Sequence, residues 1–169
     1  MEGFGIFDDR DIATAARSLV EKFTTRGLML ATAESCTGGL IAGAVTEIAG
    51  SSAVLDRGFV SYSNAAKTEM LGVPSALIEA HGAVSSEVAR AMADGALRHS
   101  RADIAVAVTG IAGPGGGSPA KPVGLVYVAA LRRGSAPAIE ELRLGDIGRD
   151  AVRRATILRA VALACHQAD

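Results

Sequence analysis

The sequence predicts an α/β layered domain, with a mixed sheet of parallel core strands and a late antiparallel hairpin, flanked by helices. Three observations carry that expectation. Stretches with apolar residues at helical spacing alternate along the chain with short continuous apolar runs. One run, residues 104–109, is uninterrupted and rich in β-branched residues, as a strand buried on both faces requires. Two further runs, 123–131 and 139–144, flank Arg133-Gly-Ser-Ala-Pro137, which reads as a hairpin connection.

Each element follows in order. Ile12, Ala15, Ala16, Leu19, Val20 and Phe23 mark a helix, with Asp8 or Asp9 as its cap and Gly27 as its stop. Residues 28–33 form a short buried strand. Glu34-Ser-Cys-Thr-Gly-Gly39 breaks the pattern, and helical spacing resumes over 40–48 until Gly50. Residues 58–63 read as a second strand. Asn64 can cap a short helix over 65–71, ended by Gly72 and Pro74. Residues 75–81 supply one or two helical turns. Ser85 caps a helix reaching about Arg98. The strand at 104–109 runs into a loop, Gly110-Ile-Ala-Gly-Pro-Gly-Gly-Gly-Ser-Pro-Ala-Lys121, then come the hairpin and a closing helix from about Asp150 to Cys165.

The 169 residues suit one domain, so 1–169 is read as a single unit without repeat or linker. Apolar residues at 49% and charged residues at 21% exclude disorder. Aromatics are 4% and Trp is absent, so Ala, Val, Ile and Leu must fill the core. A net charge of −1 leaves no basic excess to neutralise phosphates, so a nucleic-acid partner is disfavoured. The longest uncharged stretch, 104–120, holds five Gly and two Pro and suits a strand and loop, not a membrane span. Met1-Glu-Gly-Phe-Gly-Ile-Phe-Asp-Asp9 lacks the basic and apolar regions of a signal peptide. Cys36 and Cys165 read as reduced thiols of a cytosolic protein. His81, His99 and His166 are scattered, which disfavours a zinc site.

Three segments carry chemistry. In the first, Ser35 sits on a strand-to-helix turn, where backbone N–H groups of Cys36, Thr37, Gly38 and Gly39 could hold an anion. Ser35 or Thr37 acting as a plain helix cap is the competing reading, and two glycines in a row favour close approach of a ligand. The second is the glycine loop. It is not a phosphate loop of the Walker type, since Gly116 stands where Lys is needed, nor a dinucleotide fingerprint, since the match from Gly113 ends on Ser118. Ser118-Pro-Ala-Lys121 has an S-x-x-K spacing in a loop that cannot supply helical geometry. A nest of N–H groups at a strand's carboxyl end and a plain surface connection both remain open.

The third segment is Tyr62-Ser-Asn-Ala-Ala-Lys67. A lysine in a first helical turn opposes the helix dipole, so Lys67 reads either as solvated or as a group with another task. Burial would make it a base: at a pKa of ~10.4 about 0.04% is neutral at pH 7, and at ~7.5 roughly a quarter. Tyr62 by itself reads as packing.

Taken together and in order, six segments resemble the CinA C-terminal domain family. They are Thr32-Ala-Glu-Ser-Cys-Thr-Gly-Gly39, Ile48-Ala-Gly-Ser-Ser52, Arg57-Gly-Phe-Val-Ser-Tyr-Ser-Asn64, His81-Gly-Ala-Val-Ser85, Thr109-Gly-Ile-Ala-Gly-Pro114 and Lys121-Pro-Val-Gly124. The resemblance runs from about Val20 to the last helix. Longer members carry a molybdopterin-binding-like domain for which this chain has no room, so it resembles the stand-alone form.

The resemblance implies an amidohydrolase that converts nicotinamide mononucleotide to nicotinate mononucleotide and ammonia in pyridine nucleotide recycling. It implies a Ser–Lys dyad, no metal, no cofactor, a cytoplasmic setting and a homo-oligomer, dimer or higher. Ser35 falls on the nucleophile and Lys67 on the base. Tyr62 falls on a further catalytic position and Thr109 on a substrate-binding one. The turn Glu34, Cys36, Thr37, Gly38 and Gly39 and the loop positions Gly110, Gly113, Gly115 and Gly116 fall on substrate-binding segments. A basic residue near the start of the last helix also belongs to the pattern. The spacing in Gly145-Asp-Ile-Gly-Arg149-Asp-Ala-Val-Arg153 leaves Arg149 and Arg153 open, with Arg149 preferred. Cys36 is the rival nucleophile. The rival functions are a non-catalytic pyridine-nucleotide-binding module and a competence- or damage-associated interaction protein.

Overall fold

Asp8 starts the first helix, α1 (Asp9–Arg26), by accepting from the N–H groups of Arg10 and Asp11, while the Asp11 side chain accepts from the Asp8 N–H. This reciprocal capping fixes which of the two candidate aspartates is the cap. Gly27, at φ 63°, ends the helix as expected. The computed structural model describes residues 8–169, so residues 1–7, on which the reading of a missing leader mostly rests, lie outside the described residues.

The chain continues through β1 (Leu30–Glu34), α2 (Leu40–Thr46), a single 3₁₀ turn (Ser51–Ala53), β2 (Leu55–Val60), α3 (Asn64–Leu71), α4 (Ser75–His81) and α5 (Ser86–Arg98). Then follow β3 (Ile104–Gly110), β4 (Leu125–Arg132), β5 (Ala138–Arg143) and α6 (Arg149–Gln167). Strand order is β2-β1-β3-β4-β5. The first three are parallel, and β4 and β5 are antiparallel, so the expected mixed sheet forms.

Several boundaries differ from the sequence reading by one to three residues, and two of these bear on the site. Strand β2 begins at Leu55 and ends at Val60, about three residues earlier than the apolar pattern placed it. Its only partner is β1, and the register Leu30↔Leu55 to Glu34↔Val60 sets where it stops. Helix α3 is capped by Ser63, whose Oγ accepts from the Ala66 N–H at 3.0 Å, so Asn64 becomes the first helical residue.

Alternation along the strands separates two cores. Leu30, Ile104, Val106 and Val108 pack with α1, α2 and α6. Ala31, Ala33, Ala105, Ala107 and Ala129 pave the opposite face under α3, α4 and α5. This alanine floor lets α5 lie close to the sheet, and α5 also approaches α3 so closely that a Cβ at Gly95 would come within 2.0 Å of the Leu71 carbonyl oxygen. Among the described residues, no helix is long and apolar enough to cross a membrane.

From β1 the chain moves outward to β2, then returns past β1 to β3 on the other side. The carboxyl ends of these three adjacent parallel strands therefore open into one crevice, the usual ligand position in an open α/β sheet. They deliver Ser61 and Tyr62, Ser35, and Thr109 with Gly110.

Candidate active site

Lys67 comes into the crevice from the first turn of α3. It is 1% exposed, which removes the solvated reading. Its Nζ lies 3.0 Å from Ser35 Oγ, 3.0 Å from the Ser61 carbonyl oxygen and 3.3 Å from the Tyr62 carbonyl oxygen. Burial holds the lysine below its ordinary value, with Cys36 acting to a lesser extent in the other direction. A neutral amine has two N–H bonds and one lone pair. As an ammonium Nζ donates to all three oxygens; in the neutral form the two carbonyls would take the N–H bonds and leave the lone pair for the Ser35 hydroxyl.

Cys36 is also buried, at 5% exposure. Burial pushes its thiol up to about 11. Its own backbone N–H, Arg153 and Arg149 pull downward and Glu34 pushes upward, but desolvation dominates. The thiolate that would make Cys36 a rival nucleophile is therefore disfavoured.

The turn between Ser35 and α2 is held from two sides. Glu34 is fully buried, and its carboxylate accepts from the N–H groups of Gly39 at 3.1 Å, Ile41 at 3.0 Å and Ala42 at 2.9 Å. It caps α2, so neither Ser35 nor Thr37 does. On the other side, Arg153 donates from Nε to the Cys36 carbonyl at 3.1 Å and from Nη2 to the Thr37 carbonyl at 3.2 Å. Gly38 and Gly39 have φ of 61° and 101°. Their Cβ positions would meet only ordinary contacts at 3.6 and 3.4 Å, so what these positions demand of glycine is backbone conformation.

These bonds correct the expected anion site. The Gly38 N–H donates to the Ser35 carbonyl at 3.0 Å, the Gly39 N–H to Glu34, and the Ser35 N–H to Val108 at 3.2 Å. Among the described residues, only the Cys36 and Thr37 N–H groups of the turn have no hydrogen-bonded acceptor. Glu34, Thr37, Gly38 and Gly39 do not line the cleft. The Glu34 carboxylate is spent inside the protein and is not a substrate contact.

The cleft itself has a volume of about 270 Å³. Ser35, Cys36, Tyr62, Lys67, Thr109 and Arg149 line it, together with Gly110, Gly113, Gly115 and Gly116. Lys67 and Arg149 are its only basic residues and no carboxylate lines it, so it suits an anionic ligand. The N–H groups of Ala112, Gly113, Gly115 and Gly116 donate to no backbone acceptor among the described residues, as an anion nest requires. Arg149, the first residue of α6, reaches across the cleft. Its Nη1 donates to the Gly113 carbonyl at 2.8 Å and its Nη2 to the Tyr62 hydroxyl at 3.1 Å. The Tyr62 phenol is thus engaged with Arg149, and its carbonyl is what touches Lys67. The Thr109 hydroxyl donates to the Ala83 carbonyl at 2.8 Å and holds that wall in place.

The structure therefore brings Ser35, Lys67, Tyr62, Thr109, Arg149 and the glycine loop together. It places Arg153 behind the turn instead of in the cleft. Asn64, Ala83, Val84, Ile111 and Ala112 line the cleft without having been singled out as site residues. Asn64 was read as a helix cap, because Ser63 and Asn64 are both good caps and spacing alone does not choose between them. A larger groove of about 720 Å³ beside α5 has no Lys, His or Cys in its lining. Among the described residues, no group of His, Cys, Asp or Glu is clustered to hold a metal ion.

A family model, the CinA C-terminal domain, matches residues 12–167. A CinA-like protein of Anaeromyxobacter sp. strain Fw109-5 is 48% identical over 163 residues, which is 94% of this chain and 39% of that relative. The chain spans about 29–40% of the length of the curated relatives it matches. The crystal structure of the competence/damage inducible protein CihA from Agrobacterium tumefaciens superposes with a TM-score of 0.93 at 57% identity, covering 94% of this chain and 96% of that one. The competence damage-inducible protein A of Klebsiella pneumoniae superposes with a TM-score of 0.87 at 33% identity, covering 92% and 96%.

Proposed function

This chain belongs to the CinA C-terminal domain family, and on that premise we propose that it is a serine amidohydrolase that removes ammonia from the carboxamide of nicotinamide mononucleotide. One observation carries the reading: a fully buried lysine, with no carboxylate among the groups that shift its titration, whose Nζ stands 3.0 Å from a serine hydroxyl. A purely structural lysine gains nothing from that placement. A base that must be neutral gains from both the burial and the contact.

The proposed reaction uses that contact. Ser35 Oγ attacks the carboxamide carbon while the Lys67 lone pair takes the hydroxyl proton. The carbonyl oxygen becomes negative and accepts from the free Cys36 N–H. Lys67, now an ammonium, gives its proton to the amide nitrogen, the C–N bond breaks, and ammonia leaves an ester on Ser35. Water then attacks that ester, Lys67 again takes and returns the proton, and the carboxylate product departs. The Ser61 and Tyr62 carbonyls accept hydrogen bonds from Lys67 in both protonation states, so they orient it throughout.

Arg149 and the open N–H groups of the glycine loop suit the 5′-phosphate. Binding energy gained on that remote group positions the carboxamide, which favours the nucleotide over free nicotinamide. The test is ammonia release from nicotinamide mononucleotide by the wild type, Ser35→Ala and Lys67→Met, with thermal shift as the binding readout. Turnover by the wild type with losses of roughly 10²–10⁴-fold in both variants is expected, the range of a missing general base. Binding without ammonia release in the wild type would overturn the hydrolase reading and leave a nucleotide-binding module.

A further inference from the structure

Neither His81-Gly-Ala-Val-Ser85 nor Lys121-Pro-Val-Gly124 supplies a group to the proposed reaction, yet the fold joins them. Lys121 Nζ donates to the His81 carbonyl oxygen, 40 residues away in sequence. His81 is the last residue of α4, where helix carbonyls lack partners within the helix and a cation is favoured. Gly82 makes room for the contact: a Cβ there would stand 2.6 Å from Nζ, and its φ of 76° suits glycine. A tight turn sets the lysine in place. The Ser118 N–H donates to the Lys121 carbonyl at 2.8 Å, and the Lys121 N–H donates to Ser118 Oγ at 3.1 Å. Both partners continue into walls of the cleft, since Ala83 and Val84 follow Gly82, and Gly113, Gly115 and Gly116 precede Lys121. Among the described residues, two hydrogen bonds tie residues 113–121 to other segments: Arg149 holds the Gly113 carbonyl, and Lys121 holds the end of α4. The open N–H groups of Gly115 and Gly116 lie between these two ties along the chain.

We infer that Lys121 is a positioning residue that latches the glycine loop to the end of α4 and so keeps its open N–H groups in place for a ligand that carries a phosphate. This rests on the phosphate placement in the hydrolase reading above. Lys121 does not line the cleft, so it acts through the loop and not by touching the ligand. A loop that moves freely must be ordered at the moment of binding, and that cost comes off the affinity. Residues 113–117 include four glycines, whose backbone has the most freedom to lose, so a tether beyond them has much to restrain. The chemistry at Ser35 is set elsewhere, by Lys67 and the Ser61 and Tyr62 carbonyls. The latch therefore acts on binding of the phosphate-bearing ligand and leaves the bond-breaking step alone.

The experiment measures ammonia release from nicotinamide mononucleotide and from free nicotinamide by the full chain as wild type, Lys121→Met and Lys121→Arg, with inorganic phosphate as a competitor. Lys121→Met should raise KM for the nucleotide and the inhibition constant of phosphate by roughly 3–10-fold, the worth of one charged hydrogen bond at a solvent-facing site, with kcat within about twofold of wild type. Hydrolysis of free nicotinamide should not change, because it has no phosphate for the loop to hold. Lys121→Arg keeps a cationic donor and should return KM most of the way to wild type. A nucleotide KM within about twofold of wild type in Lys121→Met, a loss confined to kcat, or an equal loss on free nicotinamide overturns the inference while the hydrolase reading stands. If the wild type releases no ammonia, the hydrolase reading falls by itself. Dissociation constants for the nucleotide and for inorganic phosphate then test the latch: the same weakening in Lys121→Met supports it, and unchanged constants overturn it.

Discussion

Glu34→Gln changes one atom in the most heavily bonded side chain of the site. The carboxylate serves three backbone donors: Oε1 takes Ala42, and Oε2 takes Gly39 and Ile41. A glutamine amide keeps one acceptor oxygen and replaces the other with a donor. The cheaper orientation leaves the oxygen on Gly39 and Ile41 and sets the NH₂ against the Ala42 N–H. One donor is then unsatisfied, at about 1–3 kcal/mol, and two charge-assisted bonds become neutral ones, at about 1 kcal/mol each. The expected loss is about 3–5 kcal/mol. For a chain of this size each kcal/mol moves Tm by roughly 2–4 °C, so the midpoint should fall by about 6–20 °C. Calorimetry measures the midpoint, and urea titration with an unchanged slope shows that stability alone moved. A shift under about 2 °C would show that the Glu34 bonds contribute no net stability, and the capping argument would fail.

Four other expectations follow from the site. Burial keeps Lys67 below the usual lysine value of 10.5, so the neutral base accumulates as pH rises and kcat should climb to a plateau with a midpoint below that value; a flat profile from pH 6 to about 10 refutes it. By linkage the unfolded chain binds the extra proton between the folded and unfolded values, so stability should rise with pH in that window, and Lys67→Met should abolish the rise in Tm. Cys36→Ala should retain ammonia release within about tenfold, because the thiol is neutral at working pH and only packing is lost; loss there with full activity in Ser35→Ala would reverse the nucleophile. Arg149→Ala should raise KM for the nucleotide by roughly 10–100-fold, the worth of charged hydrogen bonds, and leave the much weaker hydrolysis of free nicotinamide unchanged.

Much of this architecture was legible because its signals are local. Gly27 stops α1, Ser85 caps α5, and the uninterrupted 104–109 run becomes the middle strand β3. The end of β2 was not legible, because an edge strand stops where its only partner stops, and that is a pairing fact. The site divides in the same way. Ser35, Lys67 and Arg149 were found by type and motif. Glu34 and the two glycines were assigned to the ligand because a polar turn before a helix looks like an anion site from sequence. What fills it is the carboxylate of the preceding residue, 0% exposed, and a side chain's direction is invisible until the strand's face is known. Arg153 was an alternative to Arg149 on spacing alone. One turn of α6 separates a residue at the mouth of the cleft from one behind it.

The adjacency of Ser35 and Cys36 poses a choice that charge alone would decide wrongly. A thiol is intrinsically more acidic than a hydroxyl, and two arginines near Cys36 favour its anion. Yet a thiolate must also be solvated, and this one is enclosed by the packed face of α1, α2 and α6. Glu34 adds a like charge beside it. The same enclosure acts in the opposite sense one residue earlier. Withdrawing Lys67 from water holds it below its ordinary value and so favours the neutral amine that a serine hydroxyl needs. A dry site therefore suppresses the nucleophile that must carry its own charge and favours the one whose proton leaves only as the bond forms. On the proposed mechanism it is desolvation and the 3.0 Å contact to Lys67 that favour the oxygen, not its acidity.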